Sequence, residues 1–319
     1  MILISQDKIL GGIFGLCVAD ALGVPVEFKS RESLKHSPVT DMRGYGTHNQ
    51  PPGTWSDDTS MTLCLLDSLS NGLDYADIMQ KFHLWIEKAE YTPHGKVFDV
   101  GIATSRALGR FASGTEPLRC GGTTEYDNGN GALMRILPLV FYLRPHYGGD
   151  FASNCEAFET IHNVCSLTHA HKRSQIACGI YLSIAGKLFD ADNLKSGVYS
   201  GIDEAKKFYA NECADELNHY KRLFDVDFMD TPEEKIKSSG YVVDTLEAAI
   251  WCLLNTDSYA GCVLKAVNLG EDTDTVAAVA GGLAGLYYGF DAIPEKWVKQ
   301  IARLDFIKEL CGKFLFLRK

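Results

Sequence analysis

The sequence predicts an all-α fold: a compact single-domain bundle of many helices over residues 1–319. Three observations predict it. Apolar residues recur at helical spacing along most of the chain, strand-type alternation is scarce, and short Pro/Gly-rich stretches punctuate the apolar segments. Leu10, Ile13, Phe14, Cys17, Val18, Ala21 and Leu22 form the first stripe, and Met61, Cys64, Leu65, Ser68 and Leu69 the second. Ile176, Ala177, Ile180, Tyr181, Ile184, Ala185 and Leu188 form a third. Leu246, Ala249, Ile250, Leu253 and Leu254 make a fourth, and Val276, Val279, Ala280, Leu283, Ala284 and Tyr287 a fifth. "GYVVDT" is the only short strand candidate. "YGTHNQPPGTW", "YTPHGK", "CGGTTEYDNGNG" and "RPHYGGD" read as loops, and the more charged segment Gly201 to Ser239 as a surface excursion. No repeat of solenoid length and no low-complexity tract interrupts this pattern.

Composition narrows the function. Hydrophobic content of 46% and charged content of 23% are globular values, which excludes a disordered chain. A net charge of −10 argues against a nucleic-acid partner, whose backbone needs a basic face, but leaves room for a small anionic ligand held by backbone N–H groups or cations. The ten cysteines include no C-x-x-C pair, and Cys17, Cys64, Cys178 and Cys252 fall on apolar stripes, as buried reduced thiols of a cytoplasmic protein would. "MILISQDKILGG" lacks the charged start and long apolar stretch of a secretion signal. The least charged run, Val276 to Phe290, is shorter than the ~20 residues of a membrane span, so no membrane partner is expected. Gly281, Gly282 and Gly285 within it suit close helix packing.

Two short blocks carry the chemistry. "TWSDDTSM" and "GEDTDTVA" each place carboxylates and hydroxyls just before an apolar run. Ser56, Asp57 and Asp58 are adjacent in the first, and Asp272, Asp274 and Thr275 stand together in the second. Capping of a helix N-terminus explains one such residue per helix, because a single side chain usually serves. Two carboxylates in each block exceed that need, and like charges so close require water or a cation. Brought together, the four carboxylates and two hydroxyls make an all-oxygen cage for a hard divalent cation, Mg²⁺ or Mn²⁺.

Other constellations are weaker. "THAH" offers His169 and His171 without further ligands at zinc spacing. No His-Asp dipeptide occurs, against the helical metal phosphohydrolases. "DDTSM" is similar to the aspartate-rich motif of helical isoprenoid synthases, but Met61 stands where the third aspartate belongs. "GGIFG" and "GGLAG" follow no strand, so they are no dinucleotide fingerprint, and no G-x-S-x-G elbow appears.

The blocks "GGIFGLCVADALGVPVEF", "PPGTWSDDTSM", "FDVG", "GNGALMR", "LTHAHKRS" and "GEDTDTVAAVAGGLAGLYYG", in this order, resemble the ADP-ribosylglycohydrolase family over residues 8–290. The resemblance implies an all-α fold around a central binuclear metal site, with Ser56, Asp57, Asp58, Asp272, Asp274 and Thr275 as ligands of two divalent cations. Ser56 departs from the family's threonine, keeping the hydroxyl without the methyl that restricts its rotamer. Glu27 matches a glutamate near the metals that manages the hydrolytic water; a solvated acid at a helix end is its plainer reading. Asp99 matches the acid assigned to proton transfer in bacterial arginine-specific members, against a cap for "VGIATSRALGRF". In "NGNGALMR", read as glycines before a helix, Asn128, Gly129, Asn130 and Gly131 would bind pyrophosphate through backbone N–H groups, or form an ordinary turn. Arg135 would contact phosphate or brace its helix, His169 would line the pocket, and Tyr241 would stack on adenine.

The implied activity is metal-dependent hydrolysis of the glycosidic bond between ADP-ribose and an acceptor, foremost protein arginine, with small ADP-ribosyl compounds as other substrates. Paired cations ~3.5–4 Å apart suit vicinal ribose hydroxyls, and nearby negative charge stabilises an oxocarbenium-like state. A non-catalytic ADP-ribose-binding or structural relative and an isoprenoid synthase-like enzyme are the rival readings. Intact carboxylates at 57, 58, 272 and 274 count against the first, and Met61 with the Gly-Asn-Gly block against the second.

Overall fold

The structure is a computed structural model that describes residues 5–210 and 213–316. Among these residues fifteen α-helices carry the chain, and extended pairing is limited to three isolated bridges. In order they are α1 (Gln6–Gly23), α2 (Arg31–His36), α3 (Asp57–Leu69), α4 (Tyr75–Lys88) and α5 (Ile102–Ala112). Then come α6 (Leu139–Tyr147), α7 (Cys155–Ser166), α8 (Lys172–Leu188), α9 (Leu194–Ala210) and α10 (Ala214–Leu217). The last are α11 (Val242–Leu254), α12 (Tyr259–Val267), α13 (Thr273–Tyr288), α14 (Glu295–Gln300) and α15 (Leu304–Phe316). The all-α expectation holds.

α1 starts at Ser5, whose hydroxyl accepts from Lys8 N at 3.3 Å. From Gly11 to Gly23 every residue is buried, so the helix is apolar all round and lies inside the core. With the turn that follows, Gln6–Val26 is long and apolar enough to cross a membrane, but 94% of its hydrophobic window is packed within the protein. Val276 to Phe290 is the other long apolar run. Both runs are core helices, and they pack on each other.

The α1–α13 contact is made by backbone. A Cβ on Gly281 would lie 2.5 Å from both Gly15 O and Ala19 Cβ, and one on Gly15 or Gly285 would overlap the facing carbonyls of Gly281 and Gly11. Real Cβ contacts are never that close, so these positions admit only glycine. Tyr259 Oη donates to Gly15 O at 2.8 Å and Tyr181 Oη to Val279 O at 3.1 Å, tying flanking helices to the same seam. Residues 11, 15 and 23 face 285, 281 and 274, so the pair is antiparallel. The C-terminus of α1 therefore meets the N-terminus of α13.

Two expectations are corrected. "GYVVDT" is the start of a helix: Thr245 N donates to Tyr241 O at 3.0 Å and α11 begins at Val242. Val242 and Val243 are buried there, and packing outweighs the modest helix cost of β-branched residues. Only Tyr241 is extended, bridging to Gly129. The proposed excursion from Gly201 begins inside α9, where Ile202, Ala205 and Tyr209 are buried. Beyond it Tyr220, Phe228 and Ile236 anchor the irregular part to the core.

If the seam is as tight as it stands, Gly285→Ala should cost ~1–3 kcal/mol or more through overpacking, read by thermal or denaturant unfolding. Gly312→Ala in α15 meets nothing within 4 Å and should be neutral or stabilising by about 0.5–1 kcal/mol. Equal behaviour of the two variants would refute the seam.

Candidate metal centre and active site

The first acidic block is placed by α1. Asp20, fully buried on that helix, accepts from Ser56 N at 3.0 and 3.1 Å, from Thr59 N at 3.1 Å and from Thr59 Oγ1 at 2.6 Å. These bonds satisfy donors at the start of α3 that the helix itself leaves open. Ser56 is the N-cap, accepting from Asp58 N at 3.3 Å. Capping is thus served by Ser56 and Asp20, and the carboxylates of Asp57 and Asp58 are surplus to it.

The second block is placed by the same helix. Gly23 lies so close to the Asp274 backbone that a Cβ would overlap it, and Thr273 Oγ1 donates to Gly23 O at 2.8 Å. The turn after α1 is bonded to the turn before α13 through Phe28 N to Glu271 O and Glu271 N to Lys29 O, both 2.7 Å. Gly270 has φ +80° and packs on the Arg31 backbone. The Arg31 side chain donates to Leu269 O, Glu233 O and Ile236 O at 2.8, 2.5 and 2.6 Å, which fixes the outer side of this turn. Asp272 occupies the N-cap position of α13 but makes no side-chain cap bond; its carboxylate accepts from Asn130 Nδ2 at 2.8 Å.

The two blocks meet. Thr275 Oγ1 donates to Asp58 Oδ2 at 3.3 Å across 217 residues of sequence, and Ser56 Oγ donates to the same oxygen at 2.9 Å. Oxygens of Asp20, Asp58 and Asp274 lie within 4.8 Å of one another, as do oxygens of Glu27, Asp272 and Asp274. Asp58 Oδ1, Asp272 Oδ1 and Asp274 Oδ2 are buried without a hydrogen-bond partner. Orphaned carboxylate oxygens are costly, and a cation held among these acids would satisfy them. Burial, followed by the charges of neighbouring acids, raises the carboxyls of Asp57, Asp58 and Asp274 well above their usual range. Burial raises Asp272 as well. The donors are carboxylates and hydroxyls alone, the set that suits a hard divalent cation.

Beside this cage Glu27, 4% exposed, pairs with His48 Nε2 through a short hydrogen bond. Burial, opposed by the His48 bond, pushes its carboxyl up to about 7. Asp99 is half-buried within 4.8 Å of both groups. It does not cap α5: Gly101 is at the N-cap, and Asp99 sits at φ +55°, a left-handed conformation seldom held without a reason. The capping alternative for Asp99 is thereby removed.

The "NGNG" segment pairs with the loop before α11. Asn130 N donates to Gly240 O at 3.1 Å and Val242 N to Asn128 O at 3.0 Å. Asn128 is buried, accepting from Ser174 Oγ at 3.1 Å and donating to Glu125 O at 3.0 Å. Gly131 packs against His169 so closely that a Cβ would be 2.9 Å from its ring, and Gly129 also borders it. His169 is bonded to Thr168 Oγ1 at 2.8 Å, and burial lowers its pKa to about 3, so the imidazole is neutral. Tyr241 is half-buried beside Gly129, its ring 5.9 Å from the Arg173 guanidinium. Two expectations fail here. No helix follows the glycines: residues 131–135 form turns and α6 starts at Leu139, because Pro138 has no N–H to continue a helix. Arg135 is fully buried, its guanidinium 4.6 Å from the Phe82 ring centroid and donating to Thr168 Oγ1 at 2.8 Å, so it braces the His169 segment and reaches no ligand space.

Reading the sequence missed Asp20, Arg31 and His48. Asp20 lies in the quoted block "GGIFGLCVADALG", where a lone acid within an apolar helix was an available signal. Arg31 and His48 carry none.

The raised carboxyls predict how the metal-free protein responds to pH. Between the ordinary carboxylate range near ~4 and the raised values, the folded state holds more protons here than the unfolded chain. Stability is then greatest at acid pH and falls as pH rises through about 6 for Asp20 and about 7 for Glu27. His48, raised by its bond to Glu27, acts in the same direction. Melting curves in chelator should fall from pH 5 to pH 8, and Mg²⁺ or Mn²⁺ at 100 times its Kd should restore about 2.7 kcal/mol. Asp58→Asn should abolish the cation effect. A wild-type melt indifferent to chelator at pH 8 would count against the cage.

A family model for ADP-ribosylglycohydrolases matches residues 3–319. An ADP-ribosylarginine hydrolase of Serratia proteamaculans is 32% identical over 320 residues, covering 98% of this chain and 80% of that protein. The ADP-ribosyl-dinitrogen reductase glycohydrolase of Rhodospirillum rubrum is 32% identical over 300 residues, 93% of this chain and 90% of its own. A solved structure described as an ADP-ribosylglycohydrolase-related protein complex superposes with a TM-score of 0.78 at 31% identity, covering 98% of this chain and 99% of that one. The chain belongs to the ADP-ribosylglycohydrolase family, hydrolases of the glycosidic bond to ADP-ribose.

Proposed function

We propose that this chain removes ADP-ribose from arginine side chains of modified proteins, with two divalent cations, Mg²⁺ or Mn²⁺, held by Ser56, Asp57, Asp58, Asp272, Asp274 and Thr275. The observation that carries the reading is the meeting of Asp58 with Thr275, around three buried carboxylate oxygens that have no partner. The arginine linkage draws support from the two relatives named for ADP-ribosylarginine and ADP-ribosyl-dinitrogen reductase. Bound there, the cations would orient the vicinal ribose hydroxyls and neutralise the acids around them.

The protein's residues divide the remaining work. Glu27, whose raised carboxyl lies near neutrality, takes a proton from the attacking water. The water oxygen bonds to the anomeric carbon as the bond to the guanidinium nitrogen breaks, and Asp99 delivers a proton to that nitrogen. Surrounding carboxylates favour the positive charge that develops on the sugar. Asn128, Gly129, Asn130 and Gly131 form the wall against the pyrophosphate, with neutral His169 behind it. Tyr241, joined to that wall by its bridge to Gly129, offers a ring to the adenine.

The test is release of ADP-ribose from a panel: ADP-ribosyl-arginine, ADP-ribosyl-serine, and small ADP-ribosyl compounds. Arginine should be cleaved fastest, chelation should stop turnover, and Mg²⁺ or Mn²⁺ should restore it. Asp99→Asn should lower kcat on ADP-ribosyl-arginine by ~10²–10⁴-fold while ADP-ribose binding, followed by calorimetry, is kept. Normal cleavage by Asp99→Asn would make Asp99 structural and move the substrate to an O-linked or small-molecule glycoside.

A further inference from the structure

The sequence predicts a plain loop over Tyr45–Gln50. Its conformation is unusual. Tyr45, Gly46 and Asn49 have φ of 66°, 62° and 51°, and two of these are not glycine. Left-handed non-glycine residues cost of order 1 kcal/mol each and persist only where the surroundings impose them. The constraint here comes from the Glu27 segment. Thr47 Oγ1 donates to Glu27 O at 2.6 Å, and Gly46 rests on Pro25 O with no room for a Cβ. Tyr45 N bonds back to Gln50 O, closing the loop, and Gln50 Nε2 donates to His48 O at 3.2 Å. The loop is thus bonded to the Glu27 backbone, and it delivers one side chain, His48, to the Glu27 carboxylate. Phe98 at 5.1 Å and Phe28 at 6.0 Å between ring centroids flank the imidazole.

We propose that His48 is a positioning residue for Glu27, its Nε2–H holding one carboxylate oxygen so that the other is presented to the hydrolytic water. Glu27 stands within 4.8 Å of Asp99 and also of Asp272 and Asp274, so repulsion would swing an unheld carboxylate away. A general base works from one orientation, and a third group commonly supplies it. His48 is the one imidazole in these acidic groups, and it occupies that place.

The inference rests on the glycohydrolase reading, and its test separates the two. In the full chain loaded with Mg²⁺, His48→Leu should lower kcat by ~10–100-fold, the usual cost of losing an orienting partner, with KM and ADP-ribose affinity little changed. His48→Gln, which keeps an N–H near Nε2, should recover most of that loss; a residue that only packed the loop would be replaced as well by leucine. Independently of substrate, the ¹⁵N NMR signal of His48 should report a protonated Nε2 that shifts on Glu27→Gln. Failure of the wild type on every ADP-ribosyl linkage would end the functional reading while the NMR result still decides the pairing. A His48 signal blind to Glu27→Gln, wild-type kcat in His48→Leu, or a glutamine variant no better than leucine would each overturn the proposal.

Discussion

The backbone seam between α1 and α13 is the constraint on which the rest of the site depends. Glycines at 11, 15, 281 and 285 let the two helices approach until carbonyls face Cα atoms. Such an approach fixes their relative height more tightly than interdigitated side chains would, since no rotamer can absorb a shift. The seam then ends where chemistry is needed. Gly23 abuts Asp274, and Asp20, one turn earlier, holds the start of α3 through four hydrogen bonds. One buried helix thereby registers both acidic blocks, although more than two hundred residues separate them.

Register alone would not make this arrangement stable, because it drives acids together in a dry interior. Asp20, Asp57, Asp58 and Asp274 are all buried, and Glu27 with them. Hydrogen bonds from Ser56, Thr59, Thr275 and Asn130 compensate some oxygens, and three remain without a partner. The raised carboxyls are the same fact expressed as proton affinity: crowded, buried acids hold their protons more tightly. Fold and charge neutralisation are therefore linked, since whatever neutralises the centre also stabilises the meeting of α3 with α13.

How much of this the sequence discloses depends on whether a feature repeats. The helices were legible because burial imposes a period, and the paired clusters because two acids exceed what one cap requires. Asp20 is a single acid on an apolar helix, and only the position of α3 gives it meaning. Arg31 and His48 act on carbonyls and carboxylates far away in sequence or through strained loops, which leaves no local pattern. The errors have physical causes too. Glycines in "NGNG" suggested a helix start, but Pro138 delays the helix to Leu139. Arg135 looked like an anion ligand by type, and yet its guanidinium is fully buried against the Phe82 face, with Nη2 donating to Thr168.

A division of labour follows between rigid and strained parts. The cage residues stand on helix N-termini whose backbones are fixed by the seam, as a cation site with several ligands demands. The residues proposed to handle protons do not. Asp99 lies at φ +55° on an irregular segment, Glu27 ends the turn after α1, and His48 rides a loop with three left-handed residues. Proton transfer needs each group aimed at a particular atom of a particular acceptor, and loops can be re-aimed by a few residues without disturbing the cage. On this fold, the linkage that is cleaved should therefore be set by residues 45–50 and 98–101, while the two acidic blocks stay fixed at the N-termini of α3 and α13.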